Sequence, residues 1–393
     1  MENFEYYNPV KVKFGSGVLS QIGENAAKYG KRAMLVSYEN CDFFAKIIDI
    51  IHKSLEEAGV ECTDYFAVTA NPKLSQAEKG VQICKQKHID VLIALGGGSA
   101  IDCTKVIAAG VYYEHDMSEM LMLSHSDVTA IPPKKALPYI AIPTLAGTGS
   151  EMNPIGVITD DKSGKKSYVW EPSCLYAQLA LMDPTLTVSL PSYQTACGGY
   201  DIVAHIMEAY INGDPSVDLT LHDRMQEGVI LATLESLEKV WQHPDDVQAR
   251  GILMWAATIA LNGWMTSGTF GFTPMHQMGH VLSAKYNATH GATLACMMVS
   301  WMRYFENRPD NAKYVQFANR IFGCSLPEAR EKFDRMMQEK GVETRISAFG
   351  ATKADLDELT DTVVAVSFGP DGKLNGHPKM TREDIYRCYE LAL

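Results

Sequence analysis

The 393-residue chain has no basic surplus, no long apolar run and no paired-cysteine motif, and each absence removes a class of function. Its 35 Lys and Arg stand against 47 Asp and Glu, a formal charge of −12. A field of that sign repels nucleic acid and anionic membranes, although a local basic pocket can still hold a small anion. No apolar stretch approaches the ~18 residues that a membrane-spanning helix requires. The opening Met-Glu-Asn-Phe-Glu-Tyr-Tyr has neither a basic n-region nor a signal-peptide core, so the expected address is cytoplasmic. The cysteines, at 41, 62, 84, 103, 174, 197, 296, 324 and 388, are odd in number and widely spaced, without a C-x-x-C. That pattern argues against a disulfide framework or a cysteine-ligated zinc and for reduced core thiols. Internal repeats and low-complexity tracts are also missing, as are the G-x-G-x-x-G and H-E-x-x-H signatures.

What is present is an ordinary folded composition, 46% hydrophobic and 21% charged, on a chain too long for one comfortable core. The first half alternates strand and helix signals. Strands are expected at Val10 to Phe14, Arg32 to Tyr38, Ile89 to Leu95 and Ala136 to Pro143, and helices at Val18 to Tyr29, Phe43 to Ala58 and Leu74 to Lys87. Such alternation predicts a parallel α/β layer. After the connector DPTLTVSLP near Asp183 the texture becomes helical, with patterns at Gln194 to Ile211, Leu219 to Glu238, Val247 to Leu261 and Thr381 to Leu391. The expected division is residues 1–185, α/β, and 186–393, all-α.

Two loops at strand ends carry phosphate chemistry. Gly96-Gly97-Gly98-Ser99 leaves an apolar strand and opens a helix containing Asp102 and Lys105. Glycines admit a phosphate close to the backbone, and a helix N-terminus offers free N–H groups. Pro143-Thr144-Leu145-Ala146-Gly147-Thr148-Gly149-Ser150-Glu151 is a second loop of small and hydroxylated residues. Ligands of open parallel sheets bind outside the carboxyl ends of the strands, so the pair suggests a nucleotide-sized anion; plain turn chemistry is the bland alternative.

The helical half carries a metal-like pattern. Asp201 and His205 stand at i and i+4, as do His276 and His280, and His290 follows a turn signal at Asn287. One carboxylate with two or three imidazoles suits Fe²⁺ or Zn²⁺ with an open position rather than Mg²⁺ or a closed structural site. His52, His88, His115, His125, His222, His243 and His377 lack this spacing and read as surface or packing residues.

Together these residues resemble the iron-containing (group III) alcohol dehydrogenase family. The matching pieces are Asn8-Pro9…Phe14-Gly15, Asn71-Pro72, GGGSAIDCTK, IPTLAGTGSE, Asp201-x3-His205 and HQMGH…THG, in order along nearly the whole chain. The stretch Met254-Trp255-Ala256-Ala257-Thr258 and the long gap from Asn262 to His276 resemble the butanol-dehydrogenase or aldehyde-reductase branch. The resemblance implies a dehydroquinate-synthase-like fold, with an α/β dinucleotide-binding domain, an all-α domain and a cleft between them. It implies metal ligands at Asp201, His205, His276 and His290, with His280 as a catalytic proton relay. It places Gly97, Gly98 and Ser99 on the pyrophosphate, Asp102 beside it, Thr144 and Thr148 along the cofactor and Lys166 near the nicotinamide ribose. A homodimer or larger homo-oligomer is also implied.

The chain departs from the family where relatives discriminate NAD from NADP. Ser37-Tyr38-Glu39-Asn40 occupies that place, with Tyr38 at the usual aspartate position and Glu39 one residue on. A carboxylate there accepts a ribose hydroxyl and repels a 2′-phosphate, so NAD(H) is expected over NADP(H). The resulting expectation is a metal-dependent dehydrogenase acting on a small primary alcohol or aldehyde, with Trp264, Phe270 and Phe272 as candidate substrate contacts. A sulfonate- or phosphonate-bearing aldehyde, a glycerol-dehydrogenase-like polyol oxidation and, from another class, a metal-dependent hydrolase are the alternatives. The hydrolase leaves both glycine-threonine loops unexplained.

Overall fold

Strand residues of both parities are apolar in the first half, which calls for a sheet covered on both faces. A computed structural model describes residues 3–122, 129–214, 216–269 and 273–393. The chain divides into two compact units, Tyr7–Leu190 and Pro191–Leu393, the second including the N-terminal residues up to Tyr6. Phe270 and Phe272, named above as substrate contacts, and His125 lie outside the described residues.

The first unit runs β1 (Lys11–Phe14), α1 (Ile22–Ala26), β2 (Arg32–Tyr38), α2 (Ala45–Glu57), β3 (Glu61–Val68), α3 (Leu74–Lys87), β4 (Val91–Gly96) and α4 (Gly98–Gly110). It continues through β5 (Tyr139–Pro143), β6 (Ile155–Thr159), β7 (Lys166–Trp170) and β8 (Leu179–Met182). Six strands form a sheet in the order β1-β8-β5-β4-β2-β3, every neighbouring pair parallel, and β6 with β7 make a separate antiparallel hairpin. Ala33, Leu35, Ile93, Leu95, Ile140 and Ile142 point to the face packed by Ile22 and Ala26 of α1 and Ile51 and Leu55 of α2. The alternate residue Met34 points the other way and meets Cys84 of α3. The chain goes from β2 outward to β3 and returns on the other side of β2 to β4. The carboxyl ends of β2 and β4 therefore lie side by side at a topological switch point, where such sheets bind ligands.

The strands β3, β6, β7 and β8 were not among those expected from the sequence, whereas β2, α3 and the parallel pairing were. The second unit is helical, as expected: α5 (Ser192–Ile211), α6 (Thr220–Gln242), α7 (Val247–Leu261), α8 (Pro274–Tyr286) and α9 (His290–Phe305), followed by α10 (Ala312–Phe317), α11 (Leu326–Glu339), α12 (Leu356–Ser367) and α13 (Arg382–Leu391). Helix α5 is buried continuously from Thr195 to Ile211, which makes it the axis of this unit. Among the described residues no helix is long and apolar enough to cross a membrane. Six of the nine cysteines are buried, and none is in a disulfide.

The connector after β8 is locked by one carboxylate. Asp183, 1% exposed, accepts from Gly17 N (2.7 Å), Thr185 N (3.1 Å) and Thr185 Oγ1 (2.6 Å), tying the turn after β1 to the end of β8. Removing it strands two backbone donors, a cost of about 2–3 kcal/mol. D183A should lower the melting temperature of the α/β unit by roughly 4–10 °C in calorimetry; an unchanged melting temperature would show that these bonds carry no net stability.

Candidate functional site

In the α/β unit, the glycine turn forms where the switch point demands a sharp exit from β4. Gly97 is the N-cap of α4, and the N–H of Gly97 donates to the hydroxyl of Tyr38 at the end of β2 (2.9 Å). Gly98 packs so tightly on the second loop that a Cβ would sit 2.6 Å from Thr148 Oγ1, so only glycine fits there. Thr144 N donates to Gly96 O (3.0 Å), which seats the second loop beside the first. Ser99 Oγ donates to Ala70 O (2.5 Å).

Beneath the turn lies a buried polar network. Asp102 accepts from Ser150 Oγ (2.5 Å) and stands 3.6 Å from Lys105 Nζ. The Lys105 ammonium donates to Ser150 Oγ (2.8 Å), Asn153 Oδ1 (3.1 Å) and Ile155 O (2.6 Å). Burial pulls Lys105 down to about 8 against the attraction of Asp102 and Glu151. Burial also raises the Asp102 carboxyl, opposed by Lys105, Ser150 and Lys166. The structure thus gathers Tyr38, Gly97, Gly98, Ser99, Asp102, Thr144 and Thr148 around the start of α4, while Lys166, on β7, reaches this group through its electrostatic attraction for Asp102. Glu39 is exposed just beyond Tyr38. Helix α4 has no side-chain cap among the described residues, so its first amides and the glycine backbone offer donors for an anion.

In the helical unit, α5 supplies Asp201 and His205, α8 supplies His276 and His280, and His290 is the first residue of α9. Asn287 adopts a left-handed conformation (φ 51°) that ends α8 and lets α9 turn back. Ligand atoms of Asp201, His276 and His290 all fall within 4.8 Å of one another. Asp201 Oδ1 lies 3.7 Å from His276 Nε2, 3.7 Å from His290 Nε2 and 3.8 Å from His205 Nδ1. Two atoms each about 2.1 Å from one ion at tetrahedral angles stand roughly 3.4 Å apart, so the spacings of Asp201, His276 and His290 suit a shared cation, while His205 lies outside the set whose ligand atoms all fall within 4.8 Å. His205 lies against His276, ring centroids 4.3 Å apart, and His280 stacks on His290 at 5.0 Å.

The chemistry of the donors fits a cation as well. Asp201 Oδ1, His205 Nδ1 and His276 Nε2 are buried and have no hydrogen-bond partner among the described residues, a costly state unless something binds them. Burial raises the Asp201 carboxyl, but His205, His290 and His276 outweigh it and hold it well below the usual range. Burial lowers His205 to about 4; His276 is pushed up to about 9, because Glu208 and Asp201 overcome its desolvation. Side-chain exposure is 5–6% at Asp201, His205 and His276 but 25% at His290, so the cluster opens on the His290 side.

Sequence reasoning missed Glu208, a fully buried carboxylate that contacts His276. Its signal was positional: it stands at i+3 from His205 and i+7 from Asp201, on their face of an otherwise apolar helix. Lys105, noticed only as a neighbour of Asp102, is the centre of its network. His222 is a buried packing residue bonded to Ser267 O (2.6 Å), and Trp264 is half exposed, its ring edge-on to Tyr6.

Comparison with known proteins places the chain. Residues 9–184 match the family model described as iron-containing alcohol dehydrogenase, and residues 195–393 match that of the Fe-containing alcohol dehydrogenase family, C-terminal. The chain therefore belongs to the iron-containing alcohol dehydrogenase family. It stands in the butanol-dehydrogenase-like branch and is an alcohol dehydrogenase. It is 33% identical over 401 residues, 100% of each chain, to a protein named probable NADH-dependent butanol dehydrogenase 2 from Bacillus subtilis (strain 168). It is 27% identical to the NADPH-dependent aldehyde reductase YqhD of Escherichia coli (strain K12), covering 91% of this chain and 92% of that one. The crystal structure of NADH-dependent butanol dehydrogenase A from Thermotoga maritima superposes with a TM-score of 0.90 at 32% identity, over 100% of this chain and 99% of the other.

The glycine after His290 tests the packing of the metal centre. A Cβ on Gly291 would lie 2.1 Å from Cys197 O of α5, so alanine forces α9 away from Asp201. G291A should cost about 1–3 kcal/mol or more through overpacking and weaken zinc binding by the metal-stripped protein at least ~10-fold, the lower range for a disturbed ligand shell. Wild-type zinc affinity in G291A would mean that His290 is not placed by this contact.

Proposed function

We propose that the chain interconverts a small primary alcohol and its aldehyde, acting chiefly as a metal-dependent aldehyde reductase that prefers NAD(H) to NADP(H). The carrying observation is the convergence of Asp201, His276 and His290, whose ligand atoms all lie within 4.8 Å of one another, with His205 Nδ1 3.8 Å from Asp201 Oδ1. Polarisation of the substrate oxygen is what a divalent cation supplies there when bound, and hydride is what a nicotinamide supplies. A donor set with one carboxylate and three neutral imidazoles offsets only half of a 2+ charge, which preserves electron-withdrawing power. Imidazole-rich ligation suits Fe²⁺, the metal of the family's name, or Zn²⁺.

The chain's own residues perform the remaining work. Asp201, His205 and His276 are buried and exclude water from three sides, while the more exposed His290 marks the side of approach for the substrate oxygen. His280, half-buried against the His290 ring, holds the proton that the oxygen gains on reduction at an imidazole nitrogen. Gly97, Gly98 and Ser99 receive the pyrophosphate of the cofactor, Asp102 lies beside it, Thr144 and Thr148 flank it, and Lys166 serves the nicotinamide ribose. Tyr38 and Glu39 meet the adenosine ribose; the exposed Glu39 carboxylate accepts its hydroxyl and disfavours a 2′-phosphate. The butanol dehydrogenase relatives named for NADH support that preference.

The test is oxidation of NADH and NADPH with a panel of short-chain aldehydes, before and after chelation. The expected result is turnover lost on chelation and restored by Fe²⁺ or Zn²⁺, with kcat/KM at least ~10-fold higher for NADH, equivalent to ~1.4 kcal/mol. H205A and H276A should lose bound metal and turnover together. Full turnover by a demonstrably metal-free variant would rule out the metal's role, and a preference for NADPH would rule out that of Glu39.

A further inference from the structure

We infer that Glu208 is the positioning residue of the metal centre, fixing both the start of helix α8 and the ring of its ligand His276 with one carboxylate. The inference rests on the metal reading above and adds a residue outside the expected ligand set. Glu208 is fully buried on α5, one turn beyond His205. Its Oε1 accepts from the backbone N–H of Met275 and from that of His276 (3.0 Å), while its Oε2 contacts His276 Nδ1. Met275 and His276 are the second and third residues of α8, whose N-cap, Thr273, makes no side-chain capping bond. Helix starts leave such amides unsatisfied, and a carboxylate from a neighbouring helix meets them here.

The second contact sets which nitrogen of His276 can bind a metal. With a carboxylate at Nδ1, the imidazole carries its proton there and turns the lone pair of Nε2 toward Asp201 Oδ1, 3.7 Å away. Glu208 must accept at both oxygens, from backbone amides at one and from Nδ1–H at the other. Glutamine cannot do both. If its oxygen meets the amides, its NH₂ faces Nδ1 and drives the ring proton to Nε2, where it blocks the metal. If it flips, two donors oppose the helix amides instead. Shape is kept and the bonding pattern is broken.

The experiment strips metal from the full-length protein and titrates it with Zn²⁺ against a chromophoric chelator, then records the visible spectrum of the Co²⁺ form. E208Q should bind Zn²⁺ roughly 10- to 100-fold more weakly than wild type, the range for lost outer partners of a metal-bound histidine. Its Co²⁺ ligand-field bands should shift, with the metal-free melting temperature near that of wild type. A second variant, E208L/T273D, supplies α8 with a cap of its own while leaving Nδ1 without an acceptor. It should melt like wild type and still bind Zn²⁺ weakly. Wild-type Zn²⁺ affinity and Co²⁺ spectrum in E208Q, or recovery of affinity in E208L/T273D, would overturn the assignment while H276A remained defective. Equal affinity in wild type and H276A would overturn the metal reading itself.

Discussion

A carboxylate buried among imidazoles is the constraint on which the helical unit is organised. Asp201 is 3% exposed and its Oδ1 has no hydrogen-bond partner among the described residues. Leaving an ionised carboxylate in such a place costs several kcal/mol unless positive charge meets it. Nitrogens of His205, His276 and His290 each lie 3.7–3.8 Å from the same oxygen. Much of the local architecture serves that meeting: α5 is buried along nearly its full length, α8 ends on a left-handed Asn287, and α9 begins on His290 and presses its second residue against α5.

The two units use helix starts in opposite ways. At α8 a protein carboxylate occupies the first amides and also contacts the ring of His276, the proposed metal ligand. At α4 no side chain caps the helix start; the Gly97 N–H donates to the Tyr38 hydroxyl, and the turn is the proposed reception site for an anionic group. Under that turn, Lys105 and Asp102 are knit through Ser150 into a network that fixes the second loop. The Tyr38 hydroxyl stands where the β2 and β4 ends adjoin, so the residue that departs from the family pattern also contacts the turn proposed for the pyrophosphate.

Much of this was legible in the sequence, and the failures have physical reasons. The Asp201/His205 and His276/His280 pairs were readable because helical spacing maps directly onto one face. Arg32 to Tyr38 and Leu74 to Lys87 coincide with β2 and α3, since a strand with five consecutive buried residues and a periodic helix are the clearest local signals. Glu61–Val68 escaped because it is an edge strand: only two of its eight residues are buried, so hydrophobic alternation is nearly absent. Leu179–Met182 is apolar on both faces and too short to tell from a buried turn of helix. Glu208 escaped because an isolated acidic residue in a helix normally faces solvent; only its register with two other candidate residues set it apart. The bond between Tyr38 and Gly97 joins residues 59 positions apart and depends on the strand order, which local pattern does not contain.

The most direct test of the central claim is anomalous diffraction from crystals of the full-length protein loaded with Zn²⁺, recorded on both sides of the zinc edge. The account predicts one strong peak per chain, within bonding distance of Asp201, His205, His276 and His290 together. A loaded crystal with its zinc bound elsewhere, or with those four side chains paired only among themselves, would contradict it.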